Sequence, residues 1–182
     1  MRKIILVAGR HLSIDRPILT RGSGNMRRDL PKFRTASRAL PHILVTDLDR
    51  ATCAPALREQ WRIAQVPDML LFNVAIREIE AWLLADREGI ASMLGISLTK
   101  IGQRPELEDD PKRALVNLAR RCRKHKLRDE LVPAPGSSNQ TGPLFTSRMS
   151  QFVTDSWNVH RARNASPSLA RTIDRVQSFA HG

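Results

Sequence analysis

Two acidic doublets in the 182-residue chain have the residue types and spacing to do chemistry: Asp47-Leu48-Asp49 and Glu78-Ile79-Glu80. Carboxylates this close repel one another unless a proton or a cation lies between them. The ion they suit is a hard divalent one, Mg2+ or Mn2+, which takes carboxylate oxygens and keeps several waters. Asp-x-Asp alone is a weak motif that arises by chance in loops. Here it closes a short apolar run, Ile43-Leu44-Val45-Thr46, that reads as a buried strand with its C-terminal end in solvent. Open α/β sheets hold their ligands at that edge. A second run, Met69 to Ala75, is apolar on both faces, reads as an internal strand, and leads straight to Glu78 and Glu80. Those two acids have a plainer explanation as well, because a helix dipole favours carboxylates in the first turn.

The surrounding elements follow from apolar spacing and from proline and glycine. Residues 3–8 read as strand one, closed by Gly9, and residues 11–19 carry a weak helical rhythm. Thr20 to Asn25 is a Gly-Ser-Gly loop among Arg21, Arg27, Arg28, Lys32 and Arg34. It lacks the spacing of a P-loop. A short helical stretch at 34–40 stops at Pro41. Pro55 opens a helix whose stripe is Leu57, Trp61 and Ala64. Ile76, Ile79, Leu83 and Ile90 repeat at helical spacing and predict one helix packed on the sheet, with Glu78 and Glu80 flanking its stripe. Asp110-Pro111 reads as a cap for a helix running to about Arg123. A long loop from Pro133 to Phe145 follows. Two helices end the chain, one at 146–155 capped by Thr146 and one from Ser166-Pro167 to about Phe179. Strands alternating with helices predict an α/β fold: a mostly parallel sheet flanked by helices over residues 1–95, and a helical extension over 96–182, as a single structural unit.

The charge balance points to a polyanion. Thirty Lys and Arg against eighteen Asp and Glu give a net charge of +12, with a pI near 11.2. Clustered cations gain by releasing counterions from phosphates. Twenty-four of the thirty are arginine, which fits a GC-rich codon bias; the bias accounts for Arg in place of Lys and not for the excess of cations. The candidates for nucleic-acid or nucleotide contact are Arg27 and Arg28 beside the glycine loop, and Arg121, Arg123 and Lys124 within the densest basic run, 120–126. A run at a helix C-terminus also complements the dipole without any partner. Cys53 and Cys122 are expected as free thiols. No window approaches the ~18 apolar residues of a membrane span, so a cytoplasmic protein with no membrane partner is expected.

Leu44-Val45-Thr46-Asp47-Leu48-Asp49-Arg50 and the segment from Val74 to Asp86, with Glu80-Ala81-Trp82-Leu83-Leu84-Ala85-Asp86 its most specific part, resemble the uncharacterised bacterial family called domain of unknown function 4276. Asp110-Pro111-Lys112, Gly142-Pro143, the Phe152 to Trp157 stretch and Ser166-Pro167-Ser168-Leu169 are similar to that group too. The family is similar to Toprim domains, the metal-binding α/β fold of topoisomerases, primases and OLD-type nucleases. The resemblance implies a Toprim-like, Rossmann-like fold in which Asp47 and Asp49 are the metal ligands. Glu80, with Glu78, would support catalysis beside them. It further implies a Mg- or Mn-dependent nuclease or phosphodiesterase connected with phage defence or mobile elements. One departure stands against activity. Toprim proteins carry a glutamate at the end of strand one, and Gly9 stands there instead, with His11 or the pair Glu78 and Glu80 as substitutes. A general acid–base group of that kind contributes about 10²–10⁴-fold in rate. The alternatives are a non-catalytic module binding nucleic acid or a nucleotide, and a subunit of a partner ATPase.

Overall fold

A computed structural model describes residues 1–8, 14–20, 22–63 and 68–181, the side chains of 180 and 181 aside. The chain is mixed α/β and mostly helical, 57%, with a small parallel sheet of two strands. It divides into two compact units, residues 1–79 with 168–182, and residues 80–167. The first boundary falls between Ile79 and Glu80, inside the second acidic doublet.

The first unit contains α1 (Arg2–Ala8), α2 (Ser23–Ala36), β1 (His42–Asp47), α3 (Ala54–Gln60), β2 (Leu70–Ala75) and α10 (Pro167–His181), which returns to it from the far end of the chain. β1 and β2 run parallel, with His42 opposite Leu70 and Asp47 opposite Ala75. Both strands lie where the apolar runs place them. Their core face carries Leu44, Leu48, Leu70, Phe72 and Val74, packed against Leu30 and Phe33 of α2 and Leu57, Trp61 and Ile63 at and beyond α3. The Trp61 and Phe72 rings meet tilted, 5.3 Å between centroids.

Several sequence expectations are corrected here. Residues 2–8 are a helix and not strand one: Ile4, Ile5 and Ala8 are buried while Leu6 is 66% exposed, a helical spacing hidden inside an unbroken apolar run. The reading of Gly9 as the place of a strand-one acid therefore loses its footing; Gly9 and His11, like Ala64, lie outside the described residues. Residues 14–20 contain no helix, and in place of the short helical stretch expected at 34–40 one longer helix, α2, runs from Ser23 to Ala36 with Pro31 inside it. β2 is buried on both faces as expected, and β1 is its one sheet neighbour among the described residues.

The second unit contains α4 (Glu80–Ala85), α5 (Arg87–Leu94), α6 (Pro111–Ala119), α7 (His125–Leu131), α8 (Phe145–Asp155) and α9 (Val159–Ala165), with short 3-10 turns at Leu98–Lys100 and Pro105–Leu107. Every residue of α4 is buried, and α5, α6, α9 and the second 3-10 turn pack around it. The Trp157 indole donates to the Trp82 carbonyl, 3.1 Å. The single helix expected from Ile76 to Ile90 is instead a turn followed by α4 and α5. Asp86 interrupts it by capping α5, its side chain accepting from the Gly89 N–H at 3.1 Å. Ile79, expected in the buried stripe, is 41% exposed. The Asp110 cap forms as expected, accepting from Arg113 N–H at 2.7 Å, but α6 stops at Ala119. The basic run thus links α6 to α7 and is not a helix tail. α8 starts at Phe145, with no side-chain cap from Thr146. Gly142 is required by a close approach: a Cβ there would lie 2.5 Å from the Glu130 carbonyl oxygen and 2.6 Å from the Leu131 carbonyl carbon.

Candidate functional site

The acids of the first unit gather where β1 and β2 end. Parallel pairing continues past the strands, with Leu48 N–H donating to the Ala75 carbonyl at 2.8 Å and Asp49 N–H to the Arg77 carbonyl at 2.9 Å. The Asp47 carboxylate then accepts the Ile79 N–H at 2.8 Å. Asp47 is half-buried, Asp49 exposed and Glu78 half-buried on the facing turn. Asp49 and Arg77 both take left-handed backbone, φ 53° and 63°. Aspartate tolerates that region; for arginine it is uncommon. The two turns are thus held to each other by their backbones and by the Asp47 side chain.

This arrangement offers a cation less than the sequence suggests. Asp47 already serves one turn as an acceptor. Among the described residues, no three His, Cys, Asp or Glu side chains are placed to hold one metal ion. Asp47 and Asp49 supply the hard oxygens that Mg2+ or Mn2+ would take, but they form only part of a coordination shell, so no reaction step is derived through a metal. Glu80 belongs to the second unit. It opens α4, is 8% exposed, and pairs with the Lys112 ammonium at 3.3 Å.

The basic candidates separate just as clearly. In the first unit, Arg27 donates to the Gln60 carbonyl at 3.4 Å, and Arg34, two turns further along α2, donates to the Trp61 carbonyl at 3.3 Å and to that of Arg62. These are the orphan carbonyls at the end of α3, where a cation also complements the dipole. Arg27 therefore serves the fold. Arg28 is largely exposed, 3.9 Å from Asp29. The Lys32 ammonium, hydrogen-bonded to Asp29 at 2.9 Å, holds that carboxyl below its usual range.

In the second unit, Arg120, Arg121, Arg123, Lys124 and Lys126 are all exposed, while Cys122 among them is 2% exposed and anchors the turn. Lys124 reaches the Met93 carbonyl at 3.5 Å. Arg120, Arg121, Arg123 and Lys124 form no ion pair among the described residues. Beside this turn lies a cleft of about 630 Å3, lined by Glu88, Ser92, Lys124, Arg148, Phe152 and Arg161. Its two arginines are committed within the unit. Arg148 pairs with Glu130 at 2.6 Å, which raises the guanidinium and lowers the carboxyl from their ordinary values. Arg161 grips the fully buried Asp86 with two N–H groups, at 2.6 and 3.1 Å, and Asp86 also accepts from Asn158 N–H at 2.7 Å. Sequence reading found Asp86 only as part of a helical run, and nothing local could have linked it to Arg161. Both cysteines are free, Cys53 exposed. No described helix is long and apolar enough to cross a membrane. No family model matches the chain, and no match to a curated protein or a solved structure was found.

Proposed function

We propose that this chain binds nucleic acid through the basic turn between α6 and α7. The observation that carries the reading is a set of exposed cations, Arg120, Arg121, Arg123 and Lys124, on a turn anchored by buried Cys122 and without carboxylate partners among the described residues. Clustered cations with no carboxylate partner can release counterions from a phosphate backbone. Arg27, on the Gln60 carbonyl, and Arg28, 3.9 Å from Asp29, belong to the first unit and are not part of this reading. The test is fluorescence anisotropy with a labelled single-stranded oligonucleotide at increasing salt. A log-log plot that falls steeply is expected, and a flat one rules the reading out.

A second reading rests on the acid pair at the end of β1. Asp49 in left-handed backbone and Asp47 on the Ile79 amide are locally constrained carboxylates at the edge where α/β sheets hold ligands. We propose these two as a weak Mg2+ or Mn2+ site; Glu80, held by Lys112 in the second unit, is not part of it. The Toprim-like relation and nuclease or phosphodiesterase activity in phage defence depend on this second reading; work as the subunit of a partner ATPase is an alternative to it. Calorimetry with Mn2+ on the native chain and on Asp49→Asn tests it. Equal heats in both would eliminate the site. Asp47→Asn is a useful companion, because the amide oxygen can still accept from Ile79.

A further inference from the structure

On the side of β2 turned away from β1, two guanidinium groups converge on one backbone oxygen. His42 N–H bonds to the Met69 carbonyl and Leu48 N–H to that of Ala75, so the odd-numbered carbonyls of β2 face β1. Carbonyls alternate along a strand, and that of Phe72 therefore faces away from β1. Arg58 of α3 donates to it at 2.9 Å and Arg175 of α10 at 2.6 Å. The Arg58 guanidinium also lies 5.9 Å from the centroid of the Phe72 ring. Both side chains are half-buried, and neither has a carboxylate partner among the described residues.

A neutral carbonyl cannot balance two like charges. Burial, with the charge of Arg58 adding to it, draws the Arg175 guanidinium below its ordinary value. Each guanidinium has five N–H donors in a planar fork. One of each reaches Phe72, which leaves the others for a second acceptor. Planar forks match oxyanions, and a phosphoryl group brings close to two negative charges where a carboxylate brings one.

We propose that Arg58 and Arg175 form a clamp for a single phosphoryl group, that of a phosphate monoester or the terminal phosphate of a nucleic acid, on the side of β2 turned away from β1. This site is separate from the basic turn of the second unit, and each can fail without the other. The test is calorimetry at constant ionic strength with inorganic phosphate, a nucleoside 5'-monophosphate, and one oligonucleotide with and without a 5'-phosphate. Saturable one-to-one binding is expected for phosphate and the monophosphate, at least tenfold weaker in Arg58→Gln and in Arg175→Gln. A preference of tenfold or more for the 5'-phosphorylated oligonucleotide would assign the clamp to nucleic-acid ends; a preference for the nucleotide would assign it to a free monoester. No saturable binding of any of the four, unchanged affinity in the Gln variants, or equal displacement by acetate would overturn it. If the Gln variants do not fold, arginine modification by phenylglyoxal on the native chain decides. Phosphate should slow labelling of Arg58 and Arg175 several-fold while labelling of exposed Arg38 stays unchanged, and equal labelling with and without phosphate would overturn the clamp.

Discussion

The two units use arginine in opposite ways. In the first, Arg27, Arg34, Arg58 and Arg175 all donate to backbone carbonyls. In the second, Arg148 and Arg161 are held by Glu130, Asp86 and Glu88, and Lys112 by Glu80. Arg87, on the carbonyls of Leu98 and Ile101, departs from this pattern. A carbonyl positions a guanidinium and leaves its charge standing; a carboxylate cancels it. The composition agrees. The first unit has sixteen Lys and Arg against eight Asp and Glu, the second fourteen against ten. The second unit cancels part of its charge internally while the α6–α7 turn stays exposed, and the first holds part of its charge on backbone carbonyls. Net charge alone therefore does not identify a binding surface. What an arginine is bound to decides whether its charge remains available.

The largest expected effect is in the second unit. Asp86→Ala leaves Arg161, Asn158 N–H and Gly89 N–H without their acceptor and should cost about 3 kcal/mol in urea unfolding. A loss below about 1 kcal/mol would mean that the carboxylate network is not what holds this unit. Next, Arg34→Gln in the first unit removes a cap from α3 and should cost about 1–2 kcal/mol. If it cost as much as Asp86→Ala, the contrast between carbonyl and carboxylate partners would fail. A smaller change runs the other way. Asn73 in β2 is 2% exposed, and its amide oxygen and nitrogen have no hydrogen-bond partner among the described residues. Asn73→Val should raise stability by about 1 kcal/mol, because it removes an unanswered polar group and suits a strand. A destabilised variant would show that the amide has a bound partner such as water. The smallest effect is in pH. Arg148 holds the Glu130 carboxyl below its ordinary value, so the stability it contributes is present at neutral pH and is lost as pH falls through the lowered value. Melting curves from pH 7 to pH 3 should fall less for Glu130→Gln than for the native chain; parallel curves would exclude this pair from the acid response.

The strands were legible because apolar runs ending in aspartate or leading to a turn leave few other readings. Asp110-Pro111 was legible for the same local reason: a cap and a first-turn proline act on their own helix. Residues 2–8 were not, since an unbroken apolar run conceals whether its burial repeats by two or by four. Asp86 was misread because a capping aspartate between α4 and α5 fits a continuous apolar stripe until its own hydrogen bonds are seen. The acid pair was found in the sequence, but the role of Asp47 as acceptor for Ile79, 32 residues away, was not. Arginine contacts to carbonyls are the least legible, because every residue carries the same acceptor and no side chain marks it. That is why Arg27 looked like a phosphate contact, and why Arg58 and Arg175, 117 residues apart, gave no signal.

The central claim is that charge left unpaired on the α6–α7 turn, and not charge in general, binds nucleic acid. The most direct measurement compares oligonucleotide affinity across a salt series for the native chain, for Arg121→Ala/Arg123→Ala/Lys124→Ala, and for Arg27→Ala. The triple variant should lose at least tenfold in affinity at low salt, and its log-log salt slope should be shallower by about 2, as about 0.7 per lost single-strand phosphate contact requires. Arg27→Ala should keep the native slope. Equal losses in the two variants, or a native slope in the triple variant, would contradict the claim.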